Sequence, residues 1–279
     1  MTEHHALVGQ GISHSLSPRL WTAVFDLLEM DADYGTRDLP EHLLGDVLSD
    51  LRAGTLTSVH VTMPYKQWAH GVVDEHDQES VRWTGVVNSI RTVDGRLIGQ
   101  NTDLASASIA LRSLDDQPRR ALVVGAGATA ASLAGALLAA RTEVYVTNRT
   151  DQRAVELAAR AADSRLIAVP WHERCDVSAD LVVNTAPFGL RTSDSPFGVW
   201  PADASALYDL IYASELTALQ RQAVDAGAVV WDGLAHLQGH VEVTLEQWLG
   251  SRSTSVYVSE LISRIAGRRP LRWDRPARL

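Results

Sequence analysis

The sequence of 279 residues has a single cysteine, fewer basic than acidic residues and no long apolar run. One cysteine, Cys175, excludes an internal disulfide and also any zinc site built from several thiolates. The 25 lysine and arginine residues stand against 34 aspartates and glutamates, which gives a formal charge of −9. Most of such a surface repels a polyanion, so nucleic acid is not expected as a partner.

No apolar stretch approaches the ~20 residues that cross a bilayer. The first residues show neither the basic region nor the apolar core of a secretion signal. These features predict a soluble, cytoplasmic protein with no membrane partner. The content of 46% hydrophobic and 21% charged residues is ordinary for a globular chain, and a chain of this length most often forms two domains.

Short apolar runs alternate with helical patterns, which predicts an α/β fold with mostly parallel strands. In the first half, Asp94-Gly95 separates two apolar runs and predicts a hairpin turn. A second series of strands and helices begins at 121 and predicts a doubly wound sheet. Two amphipathic helices are expected after residue 236. Strands are expected at 6–9, 34–39, 56–62, 86–93, 97–101, 121–124, 143–147, 166–169, 181–184, 207–211 and 229–231.

A glycine turn follows the apolar run at 121–124 and precedes an alanine-rich helix. Such a turn exposes backbone N–H groups and a positive helix end to a pyrophosphate. The pattern is weak alone, but a strand on either side of the helix strengthens it. We expect this loop to bind a dinucleotide through Gly125, Ala126, Gly127, Ala128 and Thr129.

The end of the next strand indicates which dinucleotide is bound. NAD sites usually place an acidic residue there to accept from the ribose hydroxyl. This chain has Asn148, Arg149 and Thr150, followed by Arg153. Two arginines can bracket a 2′-phosphate, so NADP is favoured. The alternative is a helix N-cap at Thr150 or Asp151 with solvated arginines.

Proton-transfer chemistry is suggested by Lys66, placed at the end of the third strand, and Asp103, placed at the end of the hairpin. An ammonium can protonate a carbonyl oxygen as hydride arrives, while a carboxylate holds the lysine and the substrate in place. If the two strands run side by side, both side chains reach one cleft. The alternatives are a solvated lysine and a helix N-cap at Asp103.

Three further polar residues lie in strand-like or turn-like surroundings. Ser15 and Ser17, two residues apart in an extended segment, would point the same way and could hold a carboxylate, although a capping role before Pro18 is the alternative. Asn88 lies on a buried strand and needs partners from protein or ligand.

Eight short segments together resemble the shikimate dehydrogenase family, in order and over essentially the whole chain. They are Ser-Leu-Ser-Pro (15–18), Val-Thr-Met-Pro-Tyr-Lys (61–66), Val-Val-Asn-Ser (86–89), Asn-Thr-Asp (101–103), the glycine loop, Asn-Arg-Thr (148–150), Val-Asn-Thr-Ala-Pro (183–187) and Gly-Leu-Ala-His-Leu (233–237). Several unrelated matches in one order are far more specific than a glycine pattern.

The resemblance implies an N-terminal α/β substrate-binding domain (1–104), a Rossmann-like doubly wound NADP domain (105–235) and C-terminal helices (236–279) that pack back on the first domain. It implies the reversible, NADP-dependent reduction of 3-dehydroshikimate to shikimate, on the route to chorismate and the aromatic amino acids. The expected partner is a small cyclohexene carboxylate, and the choice between monomer and homodimer stays open. No metal site is predicted.

Site residues carry over by position. Lys66 becomes the proton-transfer residue and Asp103 its partner. The substrate-contacting positions are Ser15, Ser17, Thr62, Asn88 and Tyr212, with His240 facing the substrate. Near the cofactor, the resemblance adds Leu210 and Gly233 beside the nicotinamide and a loop that contains Thr185 and Ala186.

The chain departs from the family pattern at several of these places. His240 replaces the usual glutamine, and His236 stands where methionine is common. Trp21-Thr22 replaces His-Asn, His60 replaces a small or amide residue, and Ser106 replaces a glycine. A paralogue that takes quinate or aminoshikimate, and a non-catalytic NADP-binding regulator, are therefore the alternatives. Retention of both Lys66 and Asp103 counts against the regulator.

Overall fold

Aliphatic runs form buried strands and amphipathic runs form helices in both halves of the chain. The computed structural model describes residues 2–76, 83–190, 194–249 and 255–274. It divides into two units, Met1–Thr102 and Asp103–Leu279. Each unit contains a mixed sheet, so the predicted α/β class is confirmed. None of the described helices combines the length and the apolar content that crossing a bilayer requires.

The first unit is built on a sheet with strand order β2-β1-β3-β5-β6-β4. Strand β1 runs parallel to β2 and β3, whereas β5 runs antiparallel to β3 and β6. The strands are β1 Glu3–Gly9, β2 Ala32–Asp38, β3 Ser58–Val61, β4 Glu75–His76, β5 Ser89–Val93 and β6 Arg96–Gln100. The helices are α1 Ser17–Leu27, α2 Leu44–Ala53 and α3 Lys66–Val72, with a 3₁₀ turn at Glu41–Leu43.

The predicted hairpin is confirmed: β5 and β6 pair from Val93 opposite Arg96. Asp94 and Gly95 both have positive φ, as a two-residue turn of this kind requires.

An aromatic stack in the first unit accounts for two departures from the family pattern. The Trp21 ring stacks on His60 at 5.3 Å and on Tyr34 at 5.9 Å between centroids. His60 Nδ1 and the Tyr34 hydroxyl are 2.8 Å apart. All three side chains are buried. Trp21 and His60 therefore pack against each other in one buried aromatic group.

The second unit is a seven-stranded sheet within the described residues, with order β13-β12-β11-β10-β7-β8-β9. Its strands run parallel except for β13. The strands are β7 Arg120–Val124, β8 Glu143–Thr147, β9 Leu166–Ala168, β10 Leu181–Asn184, β11 Ala206–Asp209, β12 Val229–Trp231 and β13 Arg272–Asp274. The helices are α4 Thr102–Arg112, α5 Ala128–Ala139, α6 Asp151–Ala161, α7 Ala218–Asp225, α8 Gly233–Leu249 and α9 Ser255–Ala266, with a 3₁₀ turn at Trp171–Glu173.

The strand order of this sheet reverses between β7 and β10. The chain winds outward from β7 through β8 to β9, and then from β10 through β11 to β12 on the other side. A crevice opens at such a reversal, outside the carboxyl ends of the strands. The predicted doubly wound sheet is confirmed. The packing of the C-terminal helices on the first unit stays a prediction.

Helices α4 and α8 approach closely at a glycine. The Ser106 hydroxyl on α4 donates to the His236 carbonyl at 3.2 Å. A Cβ built on Gly239 would collide with the Ser106 side chain. Ser106 is thus accommodated because position 239 has no side chain.

We expect Gly239→Ala to destabilise the protein by about 1–3 kcal/mol, the usual cost of overpacking. Ser106→Gly should recover part of that loss, so that the two changes together cost less than their sum. The midpoint of thermal unfolding measures both effects. Gly45→Ala on α2 is the control, because its Cβ would enter open space. Strict additivity of the pair would contradict this account.

Candidate active site

Lys66 is buried at 9% exposure and begins helix α3. The prediction that it ends the third strand is wrong, because β3 stops at Val61 and Pro64 cannot donate to a strand ladder. The turn between them is closed by the Tyr65 amide, which donates to the Thr62 carbonyl at 2.9 Å. Thr62 itself is half-buried, and its amide donates to Val8 at the end of β1. Lys66 and Thr62 are therefore held at the carboxyl edge of β1 and β3.

Asn88 connects this edge with the residue before Asp103. Its Oδ1 accepts from the Thr102 amide at 2.8 Å and from the Thr102 hydroxyl at 3.1 Å. Its Nδ2 donates to no residue of the described chain. The buried amide thus fixes the entry to α4 with its oxygen.

Ser15 and Ser17 do not lie in an extended segment, so that prediction is wrong. Residues 13–14 form a turn and Ser17 begins α1. The Ser15 hydroxyl accepts from the Ser17 amide at 3.2 Å, which is a local turn bond just before α1, whose N-cap residue Leu16 makes no side-chain capping bond. Serine favours this local bond at helix starts. Both residues are half-buried, and a role in binding substrate stays a prediction.

Asp103 lies in the first turn of α4 and is 2% exposed. Its Oδ1 is 2.6 Å from His240 Nε2 and 3.2 Å from His236 Nε2. The two imidazole nitrogens are 3.1 Å apart. His236 and His240 are four residues apart on α8, which places them on one helix face.

The far side of His236 is also fixed. Its Nδ1 is 2.7 Å from the Tyr208 hydroxyl. Burial raises the pKa of Tyr208 well above its ordinary value, so the phenol stays neutral. Asp103, His236, His240 and Tyr208 therefore form one polar cluster within the second unit. The sequence singled out both histidines as departures but did not connect them with Asp103.

The glycine turn has the geometry that a pyrophosphate needs. Gly125 has a φ of +111°, and a Cβ there would strike Thr185 Oγ1. Helix α5 begins after Gly127 without a side-chain cap. The positive end of α5 thus lies at the reversal between β7 and β10, where a helix start can face an anion. Ala126, Ala128 and Thr129 lie in the same turn and helix start.

The tip of β8 lies beside this turn, because the Gly125 amide donates to the Thr147 carbonyl at 2.8 Å. Asn148 Nδ2 donates to the Thr150 carbonyl at 3.0 Å. Thr150 is the N-cap residue of α6, but its side chain makes no capping bond. Arg149 and Arg153 are exposed and form no ion pair within the described residues.

The other side of the reversal is built by a buried network that the sequence did not reveal. The Asp209 carboxyl accepts from Asn184 Nδ2 at 2.8 Å and from Gln220 Nε2 at 2.9 Å. It also accepts from the Ile211 amide at 3.1 Å. The Asn184 oxygen accepts from the Ala186 amide. This network fixes the ends of β10 and β11.

The positions predicted beside the nicotinamide are close together. A Cβ on Gly233, the first residue of α8, would collide with the Leu210 carbonyl. The Leu210 amide donates to the Asn184 carbonyl at 3.0 Å, which ties it to β10. Tyr212 is half-buried in the segment after β11.

The structure therefore brings the predicted cofactor residues to one edge of the second sheet. They follow the order of the strands, from Arg149 through the glycine turn and Thr185 to Leu210. The expectation that the strands before Lys66 and Asp103 lie side by side is wrong, because β5 lies between β3 and β6. Lys66 belongs to the first unit and Asp103 begins the second, so their pairing stays a prediction.

A small α/β unit followed by a doubly wound sheet with a glycine turn defines a dinucleotide-dependent oxidoreductase class. Residues 7–90 match the model of the shikimate dehydrogenase substrate binding domain, and residues 106–185 match that of shikimate / quinate 5-dehydrogenase. The chain belongs to the shikimate dehydrogenase family, as its motifs predicted.

Similar proteins support this membership over the whole length. Shikimate dehydrogenase (NADP(+)) of Symbiobacterium thermophilum is 34% identical and covers 88% of each chain. The enzyme of the same name from Shouchella clausii is 30% identical, over 90% of this chain and 94% of its own. Shikimate 5-dehydrogenase of Thermus thermophilus, solved in complex with NADP(H) and shikimate, is 31% identical with a TM-score of 0.84. Its alignment covers 95% of this chain and all of that one (100%).

The buried Asp209 carboxyl predicts a pH dependence of stability. Burial raises its pKa from 3.8 to about 7, so the folded protein holds this proton more tightly than the unfolded chain. The stability it contributes is complete below the unfolded pKa and is lost as the pH rises through about 7. Between pH 5 and pH 8, the free energy of unfolding should fall by roughly 2.5 kcal/mol from this group.

The measurement compares urea unfolding of the wild type with that of Asp209→Asn, which cannot titrate there. The difference between the two free energies should change with pH by that amount, in favour of the variant at high pH. A difference that stays constant over this range would show that Asp209 is ionised throughout.

Proposed function

We propose that this chain catalyses the reversible, NADP-dependent reduction of 3-dehydroshikimate to shikimate. The observation that carries the proposal is that Lys66 is the only lysine among the 25 basic side chains of the sequence. Arginine serves at every other basic position. An arginine cannot release its proton, because its pKa exceeds 12, whereas a lysine can. The one lysine of the chain is buried and lies within the residues that match the substrate binding domain, so we assign proton transfer to it.

The chemistry assigned to this lysine is the protonation of a ketone oxygen. NADPH, when bound, would supply the hydride, a hydrogen nucleus with two electrons, to the ring carbon. The Lys66 ammonium gives its proton to the carbonyl oxygen as the negative charge develops, and water resupplies the proton afterwards. The Asp103 carboxylate orients the ammonium and the neighbouring ring hydroxyl. In the reverse direction, the neutral amine accepts the proton of the alcohol.

Hydroxyl and amide groups of the first unit are assigned to the substrate. Ser15 and Ser17 would donate to the ring carboxylate, and Thr62 and Asn88 to the ring hydroxyls. The free Asn88 N–H groups fit this role. Tyr212 and His240 would complete the site from the second unit.

The residues at the edge of the second sheet fit NADP. The uncapped start of α5 would hold the pyrophosphate, with Gly125 and Gly127 leaving room for it. Arg149 and Arg153 would hold the 2′-phosphate, since neither is engaged by a described acidic group. Thr185, Leu210 and Gly233 would line the nicotinamide end.

A second substrate of the same kind is favoured by the cluster around Asp103. Two histidines contact the proposed catalytic carboxylate, and the usual family residues there are glutamine and methionine. Quinate or aminoshikimate would place different groups against these imidazoles. Turnover with shikimate, quinate and aminoshikimate, each with NADP and NAD, distinguishes the candidates. We propose the cytoplasm as the location, since a single exposed cysteine suits a reducing compartment.

Lys66→Arg should lower kcat by about 100- to 10 000-fold, the usual contribution of a positioned general acid. The charge is kept, but the guanidinium does not release its proton. NADP affinity, measured by quenching of protein fluorescence, should be unchanged. The control is Arg37→Lys, which exchanges the same two residue types at an exposed position. Substantial activity in Lys66→Arg would overturn the proposed role of the lysine.

Arg149→Ala should raise the KM for NADP by roughly 10- to 100-fold, since a charge-assisted hydrogen bond contributes about 1.5–3 kcal/mol. The KM for NAD should change little, because NAD lacks the 2′-phosphate. Arg160→Ala is the matched control, as an exposed arginine in the last turn of α6. Equal effects on both cofactors would place the phosphate elsewhere.

A further inference from the structure

The Asp103, His236 and His240 side chains bring three ligand atoms together in one place. All three atoms lie within 4.8 Å of one another, and the described residues contain no other group of three that could hold a metal ion. An ionised carboxylate oxygen and a neutral imidazole nitrogen each present a lone pair. Lone pairs that converge in this way repel one another unless a proton, as in an Nε2–H hydrogen bond, or a metal cation lies between them.

The spacing suits a small transition-metal ion. Zinc bonds of about 2.0–2.1 Å in tetrahedral geometry place ligand atoms about 3.3 Å apart. The His236–His240 and His236–Asp103 contacts are 3.1 Å and 3.2 Å. The His240–Asp103 contact, at 2.6 Å, would lengthen by a small shift of one side chain.

The supporting contacts have the form found around metal-bound histidines. In the tautomer with its proton on Nδ1, His236 donates to the Tyr208 hydroxyl at 2.7 Å. Its Nε2 then carries the lone pair that faces the cluster. Such an outer hydrogen bond orients the ring and strengthens the ligand. Both histidines lie on α8 and Asp103 lies on α4, so helices hold the ligands in position.

The cluster is also open to an ion from outside. The His240 side chain is 20% exposed, whereas that of Asp103 is 3% exposed. Three protein ligands leave a fourth position for water or substrate, as in metal sites that keep an open position. Two imidazoles with one carboxylate select ions such as Zn²⁺ or Co²⁺ over Mg²⁺, which prefers oxygen ligands.

We propose that Asp103, His236 and His240 form a binding site for one divalent transition-metal ion. A metal held there occupies the carboxylate assigned to Lys66. Binding therefore inhibits turnover reversibly, and this second consequence rests on the proposed function. The ion takes no part in hydride transfer.

The test uses the full chain with Cys175→Ser, since an exposed thiol could bind zinc by itself. Zn²⁺ is titrated in competition with a chromophoric chelator. One ion per chain should bind, and excess Mg²⁺ should not displace it. His236→Met and His240→Gln should each weaken binding by at least about 100-fold, because loss of an outer partner alone costs about 10- to 100-fold. Tyr208→Phe removes the outer partner of His236 and should weaken zinc binding by about 10- to 100-fold.

The control is His172→Gln, which removes a surface histidine that also contacts a carboxylate, that of Glu173. It should bind Zn²⁺ as its parent does. Zn²⁺ should raise the thermal unfolding midpoint of the parent and leave that of the two cluster variants unchanged. The variants' own midpoints without metal show whether they fold. Absence of saturable binding in the parent, or equal binding in the parent and both cluster variants, would overturn the site.

Turnover separates this inference from the proposed function. With shikimate and NADP, Zn²⁺ should inhibit the parent, and a chelator should restore its rate. In His236→Met, the same Zn²⁺ concentration should leave that variant's own rate unchanged. Zinc binding without any turnover of shikimate would refute the function and keep the site. Full activity with shikimate but no zinc binding would refute the metal site and keep the proposed function.

Discussion

The missing side chain at Gly125 is the constraint on which the cofactor edge depends. Thr185 crosses the end of β7 there, where a Cβ would strike its hydroxyl. That hydroxyl donates to the Val124 carbonyl at 3.0 Å, and the Gly125 amide donates to Thr147 at 2.8 Å. One residue therefore joins the ends of β8, β7 and β10. The glycine turn before α5 is therefore tied to the end of β8, after which the two arginines follow.

The other end of this edge, formed by β10 and β11, is held by the buried Asp209 network. Strand ends carry backbone groups with no ladder partner, and side chains must satisfy them when they are buried. Asn184 and Asp209 do so for β10 and β11. Because Asp209 accepts from several donors while fully buried, its carboxyl balances desolvation against hydrogen bonds. The segment that includes Leu210 is consequently held by hydrogen bonds rather than by packing alone.

Local chemistry made much of the fold predictable from the sequence. Asp94-Gly95 defined the hairpin, and alternation of strands and helices defined the doubly wound sheet. Strands β4 and β13 were missed, because two or three residues show no periodicity. Lys66 was misplaced because the strand pattern continued past Val61, where the turn at Pro64 ends it. The cluster around Asp103 brings together residues that are far apart in the sequence. His236 lies 133 positions after Asp103, and His240 lies 137 positions after it. Its one local signal was the four-residue spacing of the histidines.

The one lysine and the two histidines have different roles in the proposed chemistry, and both depend on the Asp103 carboxylate. Oδ1 of Asp103 lies within hydrogen-bond distance of both imidazoles, and the proposed function assigns the same carboxylate to the lysine. A carboxylate shared in this way divides its negative charge between the lysine and the imidazoles. A metal ion bound at Oδ1 would attract the negative charge of the carboxylate and so weaken the proposed attraction between Asp103 and the Lys66 ammonium. Under the proposed function, the histidines that distinguish this chain from the family pattern would thus act on the lysine through the shared carboxylate.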